Sequence, residues 1–130
     1  MSVIQDLTAL GTVTEARYHA VEARMAALRQ SERALAAQLD ALQSAALARF
    51  RARDVTDTAL RAGVDLRWEQ WIAERSQQLN ANRALILARI EDERSALARA
   101  FGSKTALEEL LATEKHAALA AVQRKVQREG

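Results

Sequence analysis

The first part of the chain carries apolar residues on a repeating seven-residue grid. One row recurs every seven residues from Leu7, and a second row starts three residues earlier, at Ile4. The two rows, which we call the seam, contain Leu7, Thr14, Val21, Leu28, Leu35, Leu42 and Arg49, and Ile4, Gly11, Tyr18, Met25, Glu32, Leu39 and Ala46. Most of these residues are apolar, which is the pattern of a coiled-coil helix. The grid therefore predicts one helix over about residues 2–52.

The grid loosens after Phe50, where short polar and β-branched residues follow one another. Such residues favour turns and caps over helix interiors. Gly63 is a candidate helix end, and Asp65 is a candidate N-cap for the next helix. The sequence therefore predicts a tip at residues 53–65, with a short helical turn from Asp57 to Ala62 inside it.

A second helix is predicted over about residues 66–128. Its seam is less regular, with Ile72, Leu79, Ile86, Glu93, Ala100 and Leu107 in one row, and Ile90, Leu97, Lys104 and Leu111 in the other. Gly102 is a candidate break, because glycine lowers helix stability by about 1 kcal/mol relative to alanine. Thr105 and Glu108 could then form a capping box that starts a third helix. The seam row continues on both sides of Gly102, at Ala100 and Leu107, which favours a single unbroken helix.

These patterns predict an all-α fold: two long helices that form an antiparallel coiled-coil hairpin, as a single domain over residues 1–130. With the tip centred near residue 59, the numbers of facing residues should add up to roughly 118. Gly11 should then face Leu107, and Leu39 should face Leu79. Residues after about 116 would extend past the first helix as an overhang. It contains Val122, Arg124, Lys125, Val126 and Arg128, and is either a binding end or a frayed, charged terminus.

The seam also contains charged residues that could align the two helices. Glu32 should lie within a turn of Arg83 and Arg89, and Arg49 should lie opposite Glu69. Buried or half-buried pairs of this kind set the register of a coiled coil more than they stabilise it.

Composition and charge narrow the class of protein. There are 19 basic and 17 acidic residues, so no concentrated basic face points to nucleic-acid binding. The chain has no cysteine, which is typical of a reducing compartment, and it lacks both a signal-peptide pattern and a membrane-spanning apolar stretch. We therefore expect a soluble cytoplasmic protein.

No catalytic constellation is visible in the sequence. The histidines, His19 and His116, fall far apart in the predicted hairpin, and neither belongs to a metal-ligand motif. The carboxylates alternate with arginines as on a solvated ion-pair face, and a two-helix fold encloses no cleft. We therefore expect no enzyme activity, no metal and no cofactor.

Two tryptophans lie three residues apart at the start of the second helix. Trp68 and Trp71 share one helical face and border the seam. Tryptophan is enriched at binding hot spots, which favours a docking face. The alternative is that both pack on Ala46, Phe50 and the tip.

Several of these features together resemble the FliJ family, the stalk proteins of flagellar and related type III export systems. The resemblance rests on the heptad first helix, the short tip, the aromatic start of helix two, and two spaced patterns. These are Leu79-x-x-x-Arg83 and Ala100-x-Gly102-x-Lys104-x-Ala106-Leu107-x-x-Leu110.

The resemblance implies partners and binding regions. The paired chain ends would enter the hexameric export ATPase, the tip half would contact the export gate, and membranes would be reached only through these partners. Arg17, Arg24, Arg124, Lys125 and Arg128 would face the ring, and Trp68 and Trp71 would lie nearer the gate. The short tip and the few glutamines of helix one depart from some family members, which leaves chaperone binding open.

A different class of function also fits the pattern. A two-helix hairpin buries little area per residue, so pairing two hairpins into a four-helix bundle would add stability. The alternative to a stalk is therefore a generic coiled-coil adaptor or dimerising scaffold, and a homo-oligomer stays open.

Overall fold

Two long helices packed against each other form an all-α helical hairpin. The computed structural model describes residues 2–52 and 58–130, and the side chains of 58–61 lie outside this description. Helix α1 spans Val3–Arg51 and helix α2 spans Thr58–Glu129. The described residues contain no strand. The predicted fold class is confirmed.

Local hydrogen bonds explain where α1 begins. The hydroxyl of Ser2 accepts a bond from the backbone N–H of Gln5 at 3.1 Å, and the backbone N–H of Ser2 donates to Oε1 of Gln5 at 3.4 Å. This reciprocal pair is a capping box, which satisfies N–H groups that have no partner inside the helix. The helix ends at Arg51, within a residue of its predicted boundary.

The predicted start of the second helix is wrong. Helix α2 begins at Thr58, so residues 58–65 of the predicted tip are helical, and 53–57 lie outside the described residues. Gly63 does not end a helix, and Asp65 is not an N-cap. The carboxylate of Asp65 instead lies 3.4 Å from Nε of Arg49 on α1. Asp65 therefore makes a contact across the hairpin and does not cap a helix.

Helix α2 also continues through Gly102. The residues around this glycine are helical, so no third helix begins at Thr105. A Cβ placed on Gly102 would meet nothing within 4 Å. The glycine is therefore an exposed position inside a continuous helix.

The chain divides into two compact units, each built from a segment of both helices. Unit 1 contains Met1–Met25 and Asp92–Gly130, and unit 2 contains Ala26–Glu91. Buried apolar side chains in unit 1 are Val21, Met25 and Ala100, and those in unit 2 are Leu39, Leu79 and Ile90. Each unit thus has its own small apolar core, and all six residues belong to the predicted seam.

The seam of α1 is confirmed position by position. All fourteen predicted positions are buried or half-buried, and so are the predicted rows of α2. In unit 1, a Cβ on Gly11 would lie 3.8 Å from Cδ2 of Leu107, a pair whose numbers add up to 118. In unit 2, Leu39 and Leu79 are only 8% and 2% exposed, and their numbers give the same sum.

Candidate docking surfaces

The C-terminal overhang, residues 115–130 of α2, is exposed along almost its whole length. Ala120 is its only half-buried residue. The register that pairs Gly11 with Leu107 would pair residue 115 with Val3, where α1 begins. Beyond that point α1 offers no facing residue. The overhang therefore exists because α2 is longer than the segment that α1 can cover.

The overhang carries an apolar stripe that no residue of α1 covers. Leu119, Val122 and Val126 follow helical spacing on one face, and they are 58%, 59% and 63% exposed. Among the described residues, Arg124, Lys125 and Arg128 take part in no ion pair. The surface thus combines apolar side chains with cations that are available to an acidic partner.

Arg17 and Arg24, which the family resemblance placed at the ring-facing end, differ in their environment. Arg24 donates from Nε to Oε1 of Glu93 at 3.2 Å, so this guanidinium already has a partner inside unit 1. Arg17 is exposed, and it takes part in no ion pair within the described chain. Of the two, Arg17 is the more available for binding.

The structure separates the two tryptophans. Trp68 is half-buried, and the guanidinium of Arg49 lies 4.5 Å from its ring centroid, which is a cation–π contact. Trp68 also lines a shallow groove of about 230 Å³ together with Ala46 and Phe50, two of the residues named in the packing alternative. Trp71 is 54% exposed. Only Trp71 presents a large free aromatic surface.

An aromatic and cationic cluster in unit 1 was not predicted. The ring of Tyr18 lies 6.1 Å from that of Phe101, and Nζ of Lys104 lies 4.9 Å from the Tyr18 centroid. Beside it, a groove of about 240 Å³ is lined by Leu7, Thr8, Gly11, Thr12, Thr14, Glu15, Lys104, Leu107, Glu108 and Leu111. Tyr18 and Lys104 are both seam positions, and their approach follows from the register.

The two glutamates of the seam differ in how their carboxylates are satisfied. Nε of Arg83 donates to Oε1 of Glu32 at 2.8 Å, as predicted for this pair. Glu93 differs, because its Oε2 is buried and has no hydrogen-bond partner among the described residues. The seam thus contains one satisfied carboxylate and one that is only partly satisfied.

Among the described residues, the histidines and acidic residues are not grouped into one site. Nδ1 of His19 lies 3.0 Å from Glu22, and Nε2 lies 3.7 Å from Glu15, all on the exposed side of α1. In the part of the chain that the structure describes, no three histidine, aspartate or glutamate side chains are grouped to hold a metal. These are local contacts between neighbouring turns of one helix surface.

Comparisons with known proteins add no relative. No protein-family model matches the chain, and no similar protein was found among curated proteins or solved structures. Among the described residues, neither helix contains a stretch long and apolar enough to span a bilayer.

Proposed function

We propose that this protein is a non-enzymatic coiled-coil docking element, and that its C-terminal overhang binds a partner protein. The observation that carries this proposal is the exposed stripe of Leu119, Val122 and Val126 next to unpaired cations. An apolar face flanked by basic residues fits a groove that is apolar at its centre and acidic at its rim.

The family resemblance favours a hexameric export ATPase as that partner. In this proposal the chain ends enter the central opening of the ring, and the overhang contacts acidic loops there. The exposed Trp71, in unit 2, contacts the export gate. Electrostatic attraction would speed the encounter, and apolar contacts would hold the complex once it has formed. The protein would act in the cytoplasm and reach the membrane only through these partners.

The proposal can be tested by mixing the protein with its cognate export ATPase. ATP turnover and hexamer assembly should both rise. The double variants Val122→Glu/Val126→Glu and Arg124→Glu/Lys125→Glu should each weaken the complex by about tenfold or more. The effect of the second variant should shrink at high salt, because screening weakens charge–charge attraction.

A matched control lies outside the overhang. Ala81 and Ala84 are exposed on α2 in unit 2, so Ala81→Glu/Ala84→Glu adds the same two negative charges as the valine variant at a site that the proposed contact does not use. It should leave turnover and assembly unchanged. If the wild-type protein changes neither quantity, the stalk proposal is wrong.

A second candidate function is a coiled-coil adaptor or dimerising scaffold. It is favoured by exposed apolar side chains outside the overhang, including Leu85, Leu87 and Phe101. A scaffold would bind other proteins without affecting ATP turnover. If the protein is a scaffold, neither the wild type nor the overhang variants should change ATP turnover. If it is a stalk, the wild type should raise turnover and the overhang variants should reduce that effect.

A further inference from the structure

Helix α1 has a second, uncharged face in unit 2, on the side away from the seam. We call this the outer face. It consists of Ala27, Gln30, Ala34, Ala37, Ala41, Ser44 and Ala48, and all of these residues are exposed. Their alternating spacing of three and four residues is the coiled-coil spacing, so a second helix could pack along this face.

The residues that border the outer face indicate what covers it. On one border lie Ala26, Arg33, Asp40 and Leu47, spaced by seven residues. Neither Arg33 nor Asp40 takes part in an ion pair or a side-chain hydrogen bond within the described chain. Leu47 is 49% exposed. The border thus contains one cation, one anion, one small residue and one large apolar residue, all of them exposed.

This border is complementary to itself when two copies run antiparallel. In an antiparallel coiled coil, residues of the same border face each other across the pair. If Ala34 faces Ala37 of a second copy, Arg33 comes opposite Asp40 of that copy, and Leu47 comes opposite its Ala26. The two-fold axis repeats both contacts. The pairing therefore places opposite charges together (Arg33 and Asp40) and a large side chain against a small one (Leu47 and Ala26). Each of these contacts occurs twice.

Other alignments of the same face lose this complementarity. A shift of one heptad in one direction places Arg33 against Arg33 of the second copy. A shift in the other direction places Asp40 against Asp40, and like charges in facing positions are destabilising. Only the alignment centred between Ala34 and Ala37 pairs both charges with their opposites.

We propose that the outer face of α1 binds a second copy of this chain, in an antiparallel two-fold pair centred between Ala34 and Ala37. Small side chains along the centre allow the helices to approach closely, and the borders select the register. The outer face shares no residue with the overhang. A stable dimer would nevertheless favour the dimerising scaffold over a single chain that enters the ring.

Sedimentation equilibrium of the full chain tests this pairing. The expected mass is twice the 14.4 kDa of one chain. Ala34→Glu/Ala37→Glu should yield monomers with unchanged helix content, since alanine and glutamate are both strong helix formers. The matched control is Ala81→Glu/Ala84→Glu, which adds the same charges at exposed positions of α2 in the same unit. This control should remain dimeric.

A charge exchange tests the alignment. Arg33→Asp alone places carboxylates opposite each other at two sites, and should weaken the dimer by roughly tenfold. Adding Asp40→Arg in the same chain should restore it. A monomeric wild type, a dimer that survives Ala34→Glu/Ala37→Glu, or a failure of the exchange to restore pairing would each overturn the proposal. ATP turnover plays no part in the measurement, so this outcome is separate from that of the stalk proposal.

Discussion

Two glutamates occupy equivalent seam positions, and their environments differ. Glu32 accepts a 2.8 Å hydrogen bond from Arg83, whereas Glu93 accepts a longer one from Arg24 and leaves Oε2 buried without a partner. A buried acceptor without a hydrogen bond destabilises the folded state by about 1–3 kcal/mol. Glu93 therefore aligns unit 1 through its contact with Arg24 but is not an optimal side chain for stability.

Replacing Glu93 by leucine should stabilise the protein. Glu93→Leu removes the unsatisfied oxygen and places an apolar side chain in the row of Ile86, Ala100 and Leu107. Arg24 is more than half exposed, so water can solvate it after the change. We expect the free energy of unfolding to rise by about 1–2 kcal/mol, measured by urea denaturation. Glu32→Leu is the control and should gain less, and an equal or larger gain there would contradict this explanation.

At the scale of the helices, the sequence predicts the boundaries of α1 more clearly than the start of α2. Helix α1 has an unbroken seven-residue grid and a capping box, so periodicity and local hydrogen bonds agree on its boundaries. Helix α2 starts at Thr58, inside a stretch whose short polar residues and Gly63 favour a turn. The helix nevertheless continues through Gly63, and Asp65 forms an ion pair with Arg49 across the hairpin.

The glycines inside the helices provide a test of helix continuity. Gly11→Ala and Gly102→Ala should each raise the free energy of unfolding by up to about 1 kcal/mol, because alanine favours the helix. The new methyl group has room in both cases, at 3.8 Å from Leu107 for Gly11 and with nothing within 4 Å for Gly102. Circular dichroism during thermal unfolding measures the change. A loss of stability at Gly102 would instead indicate a bend there that requires glycine.

At the scale of the whole molecule, the pairing of the two helices follows one rule within each unit. Gly11 approaches Leu107 in unit 1, and Ala46 lines a groove together with Ile72 in unit 2. The numbers of both pairs add up to 118. Each unit therefore keeps the register that the seam predicts, and most of the excess length of α2 lies in the overhang.

Introduced cysteines can test this register, because the chain has none of its own. Gly11→Cys/Leu107→Cys and Ala46→Cys/Ile72→Cys should oxidise readily to cross-linked monomers. A disulfide requires Cα atoms within about 7 Å, whereas a heptad shift along a helix moves a residue by roughly 10 Å. Gly11→Cys/Ala100→Cys and Ala46→Cys/Leu79→Cys are the shifted controls. Non-reducing gels should show cross-links for the first two variants only.

The sequence by itself determined the seam, the register and the overhang. All three follow from helical periodicity and from counting residues, and Gly11 approaches Leu107 as that count predicts. Only the tertiary structure decided where α2 begins, which tryptophan is exposed and which glutamate is left unsatisfied. These outcomes depend on the side chains that meet across the hairpin. Arg49 covers Trp68 and pairs with Asp65, and no local pattern in α2 contains the position of Arg49.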